Sequence, residues 1–173
     1  MIVEITLSED WRLAAEYEGA KRLGIHRGNP NTRAWSEDRE VRGAMGECAA
    51  HEYLGLMAPW RIETRTGDGG FEFILGKQTM DVKTANSAVW LLDAIKKPLT
   101  ADIAILAEWK SGPTVKLMGW EYKAAILSAP VRFVTNDDCH WINAGELKPM
   151  AELKANVIRY MMSVIDHDNQ GEV

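Results

Sequence analysis

No stretch of this sequence approaches the ~20 consecutive apolar residues that cross a bilayer, so no membrane-spanning helix is expected. Cysteine is scarce. Cys48 and Cys139 are the only two, far apart and in no metal-ligand spacing. The opening residues, MIVEITLSED, lack the basic start and long apolar run of a secretory signal. A cytoplasmic protein with reduced thiols is the expectation. Basic charge is not in excess either, since the formal net charge is −5. That excludes a chain coated in basic charge to hold nucleic acid, but not a local basic groove. Internal repeats and low-complexity linkers are also missing, and 173 residues suit one domain with a sizeable core.

What is present is ordinary for a soluble globular protein, 46% hydrophobic and 26% charged. One segment is locally basic. Gly19 to Ser36 holds Lys21, Arg22, His26, Arg27 and Arg33 and no acid. On composition alone this is a solvated loop after a helix.

Ser8 can cap a helix over residues 9–23, with Glu9 and Asp10 in its first turn and Gly24 as a stop. Residues 24–35 are rich in turn formers. Ser36 can cap a second helix, 37–54, whose buried stripe is Val41, Ala44, Met45, Cys48, Ala49 and Leu54. Gly43 and Gly46 weaken that helix by about 1 kcal/mol each, and would let another element pack close beside Glu47. Strands are expected at 60–64, 71–75, 79–84, 88–92, 102–109 and 114–120, the run DIAILAEW being the central one. Ser111-Gly112-Pro113 is a turn. A short helix follows near 122–127, weaker strands at 132–135 and 141–143, and a last helix from Pro149 with the stripe Leu153, Val157, Tyr160, Met161 and Val164. Asp166 onward reads as a frayed polar tail. Helices, then strands, then a helix give an α+β or mixed α/β class.

The stretch TGDGGFEFILGKQTMDVKTA, Thr66–Ala85, concentrates unusual polarity in a hairpin. Asp81 and Lys83 share one strand face, with Met80, Val82 and Thr84 on the other. With Gly76-Lys77 as a two-residue turn, cross-strand partners have numbers summing to 153. Glu72 then faces Asp81, and Asp68 lies further along the same face. Clustered carboxylates repel unless a cation relieves them. Mg²⁺ takes hard oxygen ligands of this kind, and Gly69 and Gly70 would let a ligand approach.

An acid-x-Lys pattern is common by itself. Four more occur, beginning at Glu108, Glu121, Glu146 and Glu152, where composition predicts roughly one or two by chance. The context distinguishes Asp81-Val82-Lys83: a strand, an aspartate ahead of the preceding strand, and an acid-bearing helix before that.

That context resembles the PD-(D/E)XK nuclease superfamily over about Ser36 to Trp120. The resemblance rests on GAMGECAAHEYLGL with Glu47, TGDGGFEF with Asp68, and MDVKTA with Asp81 and Lys83, followed by ADIAILAEW and TVKLMGWEY. Gly67, rather than proline, precedes Asp68. The layout is also similar to small stand-alone phage nucleases, which implies the cytoplasm of a bacterial or phage-infected cell. The resemblance implies a restriction-endonuclease-like mixed β-sheet flanked by helices. Its catalytic core would be 36–120, within the one nuclease-like domain expected over 1–165, ahead of a flexible tail at 166–173. The resemblance further implies Mg²⁺, with Mn²⁺ as a substitute, held by Asp68, Asp81 and the Val82 carbonyl. Lys83 would assist the attacking water, and Glu47 would bind metal or position water. Activity would be hydrolysis of DNA to a 5′-phosphate and a 3′-hydroxyl, with no organic cofactor. Lys21, Arg22, Arg27 and Arg33 would then contact the DNA backbone. Endonuclease or exonuclease action, DNA against RNA, and a monomer or homodimer are left open.

Blander readings stand beside this one. Asp68 can be a turn residue, Glu47 can pair with His51 one turn on, and His51 suits a surface or supporting group. Trp90, Trp109 and Trp120 suit core or sheet-face packing, and Trp35 a hydrophobic staple. The alternative function is a catalytically inactive module of the same fold that binds nucleic acid or a protein partner.

Overall fold

A computed structural model describes residues 1–26, 37–56, 73–134 and 137–170. Ser8 opens α1 (Glu9–His26), its hydroxyl accepting the Trp11 N–H at 3.4 Å, with Glu9 and Asp10 in the first turn. The helix continues through Gly24, where a stop was expected. A lone glycine weakens a helix by about 1 kcal/mol without obliging it to end. Helix α2 (Glu37–Leu54) has the expected bounds, and Ala44, Met45, Cys48, Ala49 and Leu54 are buried along its stripe.

The hairpin follows as β2 (Phe73–Leu75) and β3 (Gln78–Ala85). Its pairs are Phe73 with Met80, Ile74 with Thr79 and Leu75 with Gln78. The turn is therefore the two-residue Gly76-Lys77, and each pair sums to 153. Gly76 sits at φ +62°, the left-handed region that glycine enters without steric cost.

Strands β4 (Trp90–Ala94), β5 (Ile103–Glu108) and β6 (Thr114–Tyr122) come next. Helix α3 (Lys123–Leu127) and strands β7 (Val131–Val134) and β8 (Asp137–Asn143) follow. The main sheet runs from the edge strand β1 (Val3–Thr6) in the order β1-β6-β5-β3-β2, with β5 central and Ile103–Ala107 buried. Its β3–β5 pair is parallel and the other neighbours are antiparallel. Strand β1 was not expected, since four residues of alternation in VEIT are a weak signal. A second sheet, β4-β8-β7, is separate and antiparallel. The architecture is mixed α/β, in the class expected. Among the described residues, no helix is long and apolar enough to cross a membrane.

The main sheet is covered on both faces. One face carries Met80, Val82, Ile103, Ile105 and Ala107, which pack with Ala44, Met45, Cys48 and Ala49 of α2. The other carries Ala104 and Leu106, which pack with Leu91, Leu99, Ile126 and Leu147. Helix α4 (Met150–Gln170) buries Met150, Leu153 and Val157. The rest of its expected stripe, Tyr160, Met161 and Val164, is exposed, and the helix continues past Asp166, where a tail was expected.

Helix α2 meets β3 at Gly46. A Cβ there would stand 1.9 Å from Thr84 Oγ1 and 3.0 Å from Thr84 Cβ. The close approach anticipated from the two glycines is thus located. Gly46→Ala gains about 1 kcal/mol of helix propensity, but forcing the stiff, β-branched Thr84 aside costs about 1–3 kcal/mol. Urea unfolding should show a net loss, and Thr84→Ala in the same background should recover it. A Gly46→Ala protein more stable than the parent would refute the contact.

Candidate functional site

Asp81 and Lys83 stand on one face of β3. The Lys83 ammonium lies 2.6 Å from Asp81 Oδ2. Asp81 is only 4% exposed, whereas the Lys83 side chain is 50% exposed. A buried carboxylate therefore meets a solvent-reaching cation. The parallel register sets Asp81 opposite Ala104, Lys83 opposite Leu106 and Ala85 opposite Glu108. Aligned residues share a face, so Glu108 joins this side of the sheet, diagonal to Lys83. The sequence offered Glu108 only as one of several acid-x-Lys triplets. Its Oε1 is 3.7 Å from Lys110 and its Oε2 accepts the Ala88 N–H at 3.2 Å.

The other acid-x-Lys triplets disperse. Glu121 pairs with Lys148 rather than with Lys123, two residues on. Glu146 accepts the Asn143 N–H, and Lys154 sits 4.7 Å from the Tyr53 ring centre. None makes, between its own acid and lysine, a contact as close as that of β3.

Glu47 lies elsewhere. Helix α2 covers the opposite sheet face, that of Met80 and Val82. Both Glu47 oxygens are held by Arg22 of α1, Oε1 by Nη1 and Oε2 by Nη2, each at 2.6 Å. This is a bidentate guanidinium–carboxylate fork, among the strongest side-chain contacts. The Glu47 side chain is 3% exposed. Arg22 also reaches Glu18 at 3.4 Å, so it anchors two acids instead of facing solvent as an arm. Lys21 is more than half exposed and lies 3.6 Å from Glu18. His51 is buried edge-on against Phe73, ring centres 4.6 Å apart, and is not a surface group. Burial, then the neighbouring Glu47 carboxylate, pushes the Cys48 thiol well above its ordinary value, as suits an inert packing group.

Asp68 and Glu72, with Arg27 and Arg33 of the basic stretch, lie outside the described residues. Among the described residues, no three of His, Cys, Asp and Glu come together as a metal site. Asp81 supplies one hard-oxygen donor suited to a divalent cation. Glu47, with both oxygens on Arg22, does not fit that part in this arrangement.

The Arg22–Glu47 pair left no signal in the sequence, because the residues stand 25 apart on separate helices. Of the tryptophans read as core or sheet-face packing, Trp90 stands on a sheet face. It is 44% exposed, whereas Trp120 is buried, with its indole N–H donated to the Pro149 carbonyl at 3.1 Å. Compared with known protein families, curated proteins and solved structures, the chain matches none.

Proposed function

We propose that the protein is a nuclease of the restriction-endonuclease-like kind, hydrolysing phosphodiester bonds of DNA at the Asp81–Lys83 face of β3. The observation that carries this reading is the pairing of a buried Asp81 with a half-exposed Lys83 on one strand. An ion pair placed only for stability at such a half-exposed site contributes little. A positioned ammonium beside a carboxylate is suited to orienting a water and to stabilising charge that develops on phosphate. The hairpin register, the parallel β3–β5 pair and the helix α2 on one sheet face agree with that fold's layout.

In the proposed reaction a water oxygen attacks phosphorus in line, and the bond from phosphorus to the 3′-oxygen breaks. The water loses a proton and the departing oxygen gains one, leaving a 5′-phosphate and a 3′-hydroxyl. Lys83 holds the attacking water or the phosphate oxygen. Asp81, desolvated beneath it, fixes the ammonium in place. A divalent cation held by Asp81 and Asp68 would lower the pKa of a bound water and polarise the phosphate. Glu47 contributes by fixing Arg22, and with it α1.

Calorimetry with Mg²⁺ or Mn²⁺ tests the donor set. Binding should be weakened by Asp81→Asn and lost in Asp68→Asn/Asp81→Asn, because a hard cation needs anionic oxygen. Equal heats in the parent and the double variant would remove the metal from the proposal. The capture of Glu47 by Arg22 favours a second reading, a catalytically inactive module that binds nucleic acid. Assays of mixed DNA substrates with Mg²⁺, Mn²⁺ or EDTA separate the two, since only a nuclease yields metal-dependent products.

A further inference from the structure

The small sheet has an outward face of unusual composition. Leu91 and Asp93 of β4 are buried, so Trp90, Leu92 and Ala94 point the other way. The register aligns Trp90 with Asn143, Leu92 with Trp141, and Ala94 with Cys139, while Cys139 also aligns with Arg132 of β7. Trp90, Trp141 and Arg132 therefore share one face across three strands.

They touch in a defined order. The Arg132 guanidinium carbon lies 3.7 Å from the centre of the Trp141 ring. Trp90 meets Trp141 edge-on, ring centres 6.3 Å apart at 87°. Trp90 stays well exposed, and Arg132 is exposed and makes no carboxylate pair among the described residues. The acid on this face, Asp137, is 3.3 Å from Lys96. Lys97 is exposed and bridges back to Ala94 at the same end of β4. Lys96 is thus matched by Asp137, and Arg132 is the cation of this face that no described carboxylate pairs.

We propose that this face is a stacking platform for unpaired bases of single-stranded DNA, with Trp90 against a base and Arg132 toward the adjoining phosphate. Aromatic faces stack on any base, and a nearby guanidinium adds phosphate contact without sequence choice. The Trp141 ring lies against the guanidinium, 3.7 Å from its carbon, and a guanidinium stacked on a ring keeps N–H groups free to donate. A guanidinium with no carboxylate partner beside an open indole matches a polyanion of flat rings better than an apolar protein surface. The choice of nucleic acid over protein rests on the nuclease reading, while the platform itself does not use Asp81 or Lys83.

The test is binding of an oligothymidylate to the full chain in EDTA, followed by tryptophan fluorescence. Trp90→Ala and Arg132→Ala should each weaken binding roughly 10-fold or more. Arg132→Lys should restore only part of it, because charge is kept and the plane is lost. An abasic strand of equal length should bind the parent more weakly than the thymidylate. Lys110→Ala, an exposed lysine with no part in the platform, should bind the thymidylate as the parent does. Thermal melting of each variant separates loss of contact from loss of fold. No binding by the parent, parental affinity in folded Trp90→Ala and Arg132→Ala, or equal binding of the abasic strand overturns the platform. Binding lost in those variants without any cleavage by the parent keeps the platform and removes the catalytic reading. Cleavage that persists without thymidylate binding does the reverse.

Discussion

Lys83→Ala should lower the rate of DNA cleavage by 10²–10³-fold, roughly 3–4 kcal/mol of barrier. The size follows from position. Lys83 stands two residues after Asp81 on one strand face, its ammonium 2.6 Å from a buried carboxylate and its stem reaching solvent. An ammonium so fixed costs nothing to reorganise when charge develops beside it. The fold should survive, because Met80 and Val82 on the other face do the packing against α2. Lys110→Ala is the matched control. It too follows an acid by two residues, with Glu108 at 3.7 Å, but its side chain is 70% exposed. It should cost little. The comparison is cleavage rate at saturating Mg²⁺ with melting temperature alongside. Equal losses in the two variants, or a parental rate for Lys83→Ala, would show that the site is misplaced.

The hairpin was legible in the sequence because every constraint on it is local. Alternation assigns faces, Gly-Lys sets the turn, and the turn sets the register, so Asp81 and Lys83 could be placed together from a dozen residues. The central place of β5 was legible for a related reason, since a strand buried on both sides has an unbroken apolar run. Arg22 was not. Its sequence neighbours are basic, and a basic run reads as solvated surface. The residue that captures it lies on another helix, and no local pattern records that meeting. The small sheet escaped for the same reason. β4 pairs with β8 across more than forty residues, so Trp90 in a strand could not be told from Trp120 in a strand until the pairing was known. Covering α2 with α1 likewise decides that Glu47 is enclosed rather than open.

The second large effect concerns Glu47, where the structure and the family resemblance give different answers. A metal ligand or water-positioning acid acts in the reaction, and its removal should abolish cleavage at little cost in stability. A buried anchor for Arg22 behaves in the opposite way. Glu47→Ala leaves a guanidinium only partly exposed with one of its acids gone, and breaking a buried pair by removing one partner costs about 3–5 kcal/mol. Arg22 keeps some solvent contact and keeps Glu18, so the expected loss is about 2–4 kcal/mol. Arg22→Ala leaves the carboxylate of Glu47 enclosed and should cost a similar amount. The double variant should be less unstable than the two losses summed, with a coupling of about 1–3 kcal/mol. Urea unfolding of the four proteins measures that coupling directly. Additive losses near zero, together with a folded Glu47→Ala protein that has lost all cleavage, would return Glu47 to the reacting centre. A large coupling places it at the α1–α2 joint, as the anchor of Arg22.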